Sequence, residues 1–180
     1  MDGPTRANQI SHNGPVSRPT PVQLPPFQAV YDAHRDVVWR FVVSLVGRGE
    51  AEDVFQEAWL AALRAYPDVR DAARLRAWVM TIAHHKAIDE HRDRGRRPTP
   101  APALPDEIVE PVPVAHDGDG DDGLWQQVRA LPPKQRAAVA HRFVADLSYA
   151  DIGAAMNTTP EAARRNVHEA ITKLRSTWSP

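Results

Sequence analysis

Twelve of the seventeen prolines in this 180-residue chain fall in two stretches, residues 1–26 and 98–123. Proline locks φ and removes a backbone donor, so segments this rich in it build neither helices nor central strands. Neither stretch shows an apolar period, and the second ends in HDGDGDDG. The expectation is a disordered N-terminal extension over 1–26 and a flexible, proline-rich acidic tether over 98–123. A coil of that length spans roughly 28 Å on average and about 85 Å if pulled straight. Folding is thereby confined to two small units, 27–97 and 124–178.

Both units read as helical. Phe27, Val30, Tyr31, His34, Val38, Phe41, Val42 and Leu45 recur at three- and four-residue steps until Gly47 and Gly49, which are expected to interrupt the helix. A second helix is expected from about Glu50, with Glu50, Glu52 and Asp53 at the positive end of its dipole. Its stripe is Val54, Ala58, Ala62 and Ala65, with Phe55 and Trp59 beside it, and Pro67 stops it. A third is expected from about Ala73 to Arg92, with Leu75, Trp78, Val79, Ile82 and Ile88 inward, closing in HRDRGRR, which Gly95 breaks before Pro98. No segment alternates with period two, so the fold class is all-α.

The C-terminal unit opens with a short helix, 123–130, and then a helix that Pro132 or Pro133 starts. In LSYADIGAAMNTTPEAARRNVHEAITKLR, residues 147–175, Ser148 is placed to cap a helix over 149–156, with Asp151 at the capping-box position. Asn157 suits a left-handed turn, Thr159 caps the next helix, and Pro160 takes its first position. Ala163, Val167, Ala170 and Leu174 form a buried stripe on that helix. A short helix, a tight turn and a long helix with small inward residues describe a helix-turn-helix, whose second helix enters the major groove by its N-terminal end.

Charge is sorted along the chain although the total is only −1. Residues 98–123 hold seven acids and no base, while 124–180 hold eight bases and four acids, which permits nucleic-acid binding by the C-terminal unit. The absence of cysteine rules out disulfides and thiolate metal sites, and no run of about 18 apolar residues could span a bilayer. With no basic-then-apolar layout at the N-terminus, the expected location is cytoplasmic. His84, His85 and His91 lack a third ligand at metal spacing, so no metal or cofactor is expected.

AEDVFQEAWLAAL (51–63) with LRAWVMTIAHHKAIDEHR (75–92) resembles region two of the extracytoplasmic-function (ECF) sigma factors of bacterial RNA polymerase. LPPKQRAAVAHRFVADLSYADIGAAM (131–156) and the helix after it resemble their region four. The resemblance implies a non-enzymatic protein whose partners are core RNA polymerase, at its clamp helices and flap, promoter DNA and an anti-sigma factor. It places polymerase docking on Asp53, Gln56 and Glu57, an acidic face suited to a basic coiled coil. It assigns the minus-ten element to the loop over 66–74 and nearby cations: Tyr66, Arg70, Arg74, Arg76, His85 and Arg92. It assigns the minus-thirty-five element to Glu161, Arg164, Arg165, Asn166 and His168. His84-His85 stands where the family usually has Arg-Asn, and Glu169 adds a carboxylate where it has a cation. Glu169 either accepts from a cytosine amino group or pairs with Lys173, four residues on, and the pairing is the favoured expectation. A free-standing helix-turn-helix regulator and a sigma-like adaptor for a protein partner are the competing readings; DVFQE (53–57) speaks against the first, and Arg164-Arg165 against the second.

Overall fold

The structure, a computed structural model, describes residues 24–96 and 122–177, so nearly all of the expected N-terminal extension and tether lies outside the described residues. Among them are seven α-helices and no strand: α1 (Phe27–Val46), α2 (Arg48–Ala65), α3 (Leu75–Arg96), α4 (Asp122–Ala130), α5 (Pro133–Val139), α6 (Tyr149–Ala155) and α7 (Pro160–Thr177). Two single 3-10 turns, Tyr66–Asp68 and Ala72–Arg74, link α2 to α3, and a π-helical turn, Ala140–Val144, continues α5.

Gly47 alone separates α1 from α2. Its φ of 82° is a left-handed conformation that glycine adopts without a Cβ penalty, and its N–H bonds Val43 O at 2.9 Å. Gly49 does not interrupt anything. It lies within the first turn of α2, because one left-handed residue suffices to break a helix. Likewise α3 runs through Gly95 to Arg96, beyond the expected end near Arg92. A glycine in a helix costs only about 1 kcal/mol relative to alanine, too little to stop a long helix.

Helices α1 to α3 form the first unit around Val38, Phe41, Val42, Val54, Ala58, Val79 and Met80. An aromatic edge closes one end: Trp59 lies edge-on to Phe27 (6.0 Å between centroids) and Tyr31 (4.8 Å), and Phe27 meets Tyr66 at 5.2 Å. Of the residues expected inward on α3, Leu75 and Val79 are buried, while Trp78, Ile82 and Ile88 are half-buried. Met80, Ala83, His84 and Ala87 are buried as well. This second buried face exists because the C-terminal unit packs across α1 and α3. The His141 ring sits 4.6 Å from Phe41 and 4.9 Å from His84, and one core runs from Phe41 through Met80 to Ala140, Ile152 and Ala163.

In the C-terminal unit α6, its turn and α7 form the helix-turn-helix. Ser148 Oγ accepts the Asp151 N–H at 3.1 Å. The shorter Asp151 takes the Ser148 hydroxyl (2.6 Å) in place of the backbone N–H that a glutamate would reach. Asn157 has φ 51°, and Thr159 Oγ1 caps the N–H of Ala162 at 3.1 Å. Ala163, Val167 and Ala170 are buried, with Leu174 half-buried. A Cβ on Gly153 would lie 2.9 Å from Thr158 O, so only glycine lets α6 close against the turn. The π-helical turn is the element without a sequence signal. Its extra residue leaves Ala140 and His141 buried while Phe143 is 63% exposed.

Candidate nucleic-acid and protein interfaces

Asp53, Gln56 and Glu57 are all exposed on α2, on one face as their spacing requires. Gln56 Nε2 donates to Glu52 (3.3 Å), and Lys86 Nζ on α3 pairs with Glu57 at 2.8 Å. That partner holds the Glu57 carboxyl below its ordinary pKa through its hydrogen bond and charge. The face continues into Leu60 and Leu63, each 51% exposed. Together with Lys86, Asp89, Glu90 and Arg92, the acidic residues and Leu60 line an open groove of about 670 Å³ between α2 and α3. Leu60 and Leu63 were legible in principle, one and two turns beyond Gln56, but they read simply as outer positions of a helix.

The six residues assigned to the minus-ten element are not gathered in one place. Tyr66 belongs to the aromatic edge: half-buried, it lies 6.1 Å from Trp78, and its hydroxyl donates to Pro25 O. Arg70 is turned onto its own loop, donating to Pro67 O at 2.8 Å and Val69 O at 3.2 Å. Arg74 pairs with Asp151 on α6. Arg76 Nε donates to Ala145 O at 2.7 Å. His85 is exposed midway along α3, and Arg92 borders the α2 groove, roughly 26 Å along the helix axis from its start. Arg74 and Arg76 are therefore engaged by the C-terminal unit, through contacts 77 and 69 residues apart in sequence.

Glu161, Arg164, Arg165 and His168 are exposed on α7, on the side away from the buried stripe. Asn166 is half-buried and donates its amide to Ala162 O (3.0 Å), which turns it back on its own helix. Arg164 lies over the Tyr149 ring at 5.1 Å, and Arg142 over the same ring at 5.6 Å. The expected Glu169–Lys173 pair does not form. Glu169 accepts instead from Gln135 Nε2 (2.8 Å), because α5 packs beside α7 and offers a donor that a single-helix reading cannot see.

Between the units, burial first and the neighbouring imidazoles second push both seam histidines below their ordinary range, His84 to about 4 and His141 to about 3. Neither ring nitrogen of His141 has a hydrogen-bond partner among the described residues.

The comparisons follow the same division. Residues 30–97 match the Sigma-70 region 2 family and residues 122–174 match Sigma-70, region 4. The chain belongs to the ECF RNA polymerase sigma factors. It is 35% identical to the ECF RNA polymerase sigma factor SigD of Mycobacterium tuberculosis over 156 residues, covering 81% of this chain and 74% of that one. It is 30% identical to the RNA polymerase sigma factor CarQ of Myxococcus xanthus over 159 residues, covering 83% and 87%. The fold resembles the sigma factor RpoE of Bartonella quintana, solved with the anti-sigma factor NepR, at a TM-score of 0.70 and 21% identity, covering 83% of this chain and 94% of that one. It also resembles CnrH, solved with the cytosolic domain of CnrY, at a TM-score of 0.59 and 18% identity, covering 83% and 85%. The function of this sigma factor is to direct RNA polymerase to promoters for transcription initiation. None of its helices among the described residues is long and apolar enough to cross a membrane.

Proposed function

We infer that this sigma factor docks on the clamp helices of core polymerase through Asp53, Gln56 and Glu57, with Leu60 and Leu63 as the apolar part of the same contact. The region-two unit, 27–97, meets the minus-ten element at the N-terminal end of α3 and the loop before it, which together carry Arg70, Arg74 and Arg76. The region-four unit, 124–178, binds the polymerase flap and lays α7 in the major groove of the minus-thirty-five element, with residues 98–123 as the tether between them. The protein acts in the cytoplasm, performs no chemistry of its own, and has an anti-sigma factor as a further partner, as the sigma factor RpoE of Bartonella quintana does. The observation that carries the reading is a division of charge within one chain: an exposed acidic face on α2, and on α7 exposed arginines that form no ion pair among the described residues.

The docking assignment is tested with Asp53→Arg combined with Glu57→Arg. Both positions are exposed, so the variant is expected to keep its helical circular dichroism and lose core polymerase in a pull-down. Undiminished capture by the folded variant would sink the assignment.

A further inference from the structure

The chain enters α1 through Leu24, Pro25 and Pro26. Pro26 has a φ of −55° and a ψ of 142°, a polyproline II conformation. The carbonyl of Pro25 accepts a hydrogen bond from the Tyr66 hydroxyl, and Phe27 stands edge-on to both Tyr66 and Trp59. A proline-rich segment in this conformation is the ligand that aromatic-lined grooves receive.

The rings do not end at this entry. From Trp59 they continue to Tyr31 at 4.8 Å and Phe55 at 6.2 Å, and from Phe55 to Trp39 at 5.5 Å. Tyr31, Phe55 and Trp39 are only half-buried, and they line an open groove of about 480 Å³ between α1 and α2. Arg35, Asp36 and Glu52 line it too, all of them exposed. The groove thus holds two carboxylates against one guanidinium. Residues 1–23 hold Pro4, Pro15, Pro19 and Pro21, with Arg6 and Arg18 against Asp2 as the only acid. Aromatic wall meets proline, and the charges are complementary. Length fits as well, since the helix from Phe27 to Trp39 spans about 18 Å, which about six residues of polyproline II cover. A segment tethered at the end of the groove also reaches it at an effective concentration on the order of millimolar, which favours it over a separate chain.

We propose that residues 15–23 fold back along α1 and dock in this groove as a polyproline II segment. Pro19 and Pro21 lie against Tyr31, Phe55 and Trp39, and Arg18 lies beside Asp36 and Glu52. Proline suits the role because its φ is fixed before docking, so little conformational entropy is lost on binding. Gln56 lines both this groove and the acidic one between α2 and α3, so the docked segment runs along one flank of the polymerase-facing helix. The contact lies within the chain and requires neither polymerase nor DNA, so it stands apart from the readings of α2 and α7.

The chain has no cysteine, so Ser17→Cys in the full-length protein carries a single nitroxide label beside Arg18. Paramagnetic broadening is then read from the NMR signals of the isotope-labelled protein. The Trp39 indole N–H and the amides of Asp36 and Glu52 are expected to lose most of their intensity, more than the amide of Phe27, which lies nearer the tether point. A loss that is largest at Phe27 and fades along α1 towards Trp39 would overturn the docking, because an undocked tail gives that pattern. Pro19→Gly combined with Pro21→Gly is expected to restore the Trp39 signal, and Arg18→Glu to restore it in part. These positions precede α1, so the substitutions leave the core of α1 to α3 intact. A Trp39 loss that neither change reduces would overturn the assignment of Pro19, Pro21 and Arg18. Nitroxide-bearing protein without isotope, mixed with isotope-labelled protein without nitroxide, is expected to leave Trp39 sharp. Broadening in that mixture would overturn the proposal by making a second copy the occupant.

Discussion

The arginines at the start of α3 and those on α7 carry the same charge and have opposite circumstances. Arg74 and Arg76 have protein partners, Asp151 and the Ala145 carbonyl, both supplied by the other unit. Among the described residues Arg165 is exposed with no such partner, and Arg164 has an aromatic ring and no carboxylate. The contrast invites the view that arginine contacts hold the units together, but magnitudes say otherwise. The side chain of Arg74 is 62% exposed, and exposed ion pairs contribute little to stability. The seam is held by what is fully buried: Phe41, Met80, Ile152 and His141. Arg74 and Arg76 are consequently engaged by accident of a packing they do not control, and releasing them takes only the loss of that packing.

The largest effect is expected from Phe41→Ala. Phe41 is completely buried at the centre of the seam against His141, and its removal should lower the unfolding free energy by about 3–5 kcal/mol in a denaturant titration. A loss no larger than that of a surface substitution would break the contrast between the buried seam and the arginine contacts.

Acid comes next. His84 and His141 are neutral in the folded protein down to about 4 and about 3, whereas an unfolded histidine takes up its proton near 6.5. The unfolded chain therefore binds more protons across that interval, and stability falls as the pH drops from 6.5 towards 4, with little further loss to these two groups below about 3. His34 and His91, also lowered chiefly by burial, act in the same direction. His141→Phe keeps an aromatic ring against Phe41 and does not titrate, so its thermal midpoint should drop less between pH 7 and pH 5 than that of the wild type. Identical pH profiles would show that His141 is not shielded as its burial implies.

The smallest effect sharpens the comparison from the other side. Arg74→Ala should leave the thermal midpoint essentially where it was, although it removes a contact between the units. A drop approaching that of Phe41→Ala would show that the ion pair, and not the buried core, holds the seam.

Much of this molecule is legible in its sequence, and each legible feature rests on local chemistry. Proline distribution marks the two stretches, 1–26 and 98–123, between and after which helices are expected. Three-and-four periodicity found α1 to α3, and Ser148, Asn157, Thr159 and Pro160 marked the helix-turn-helix, because caps and left-handed turns are set by residues within a few positions of one another. The α2 face was readable for the same reason, since i, i+3 and i+4 neighbours on a helix are fixed by its pitch. The tertiary structure alone decided what depends on residues distant in sequence. It buried Met80, His84 and Ala87 on a second side of α3, gave Arg74 and Arg76 partners on the other unit, and turned Glu169 to Gln135 instead of Lys173. It also gathered Arg142 and Arg164 on Tyr149, through a π-helical turn whose extra residue no apolar period announces. A period shows that a helix has an apolar side; which neighbour covers that side, and which polar groups meet there, is settled when the units pack.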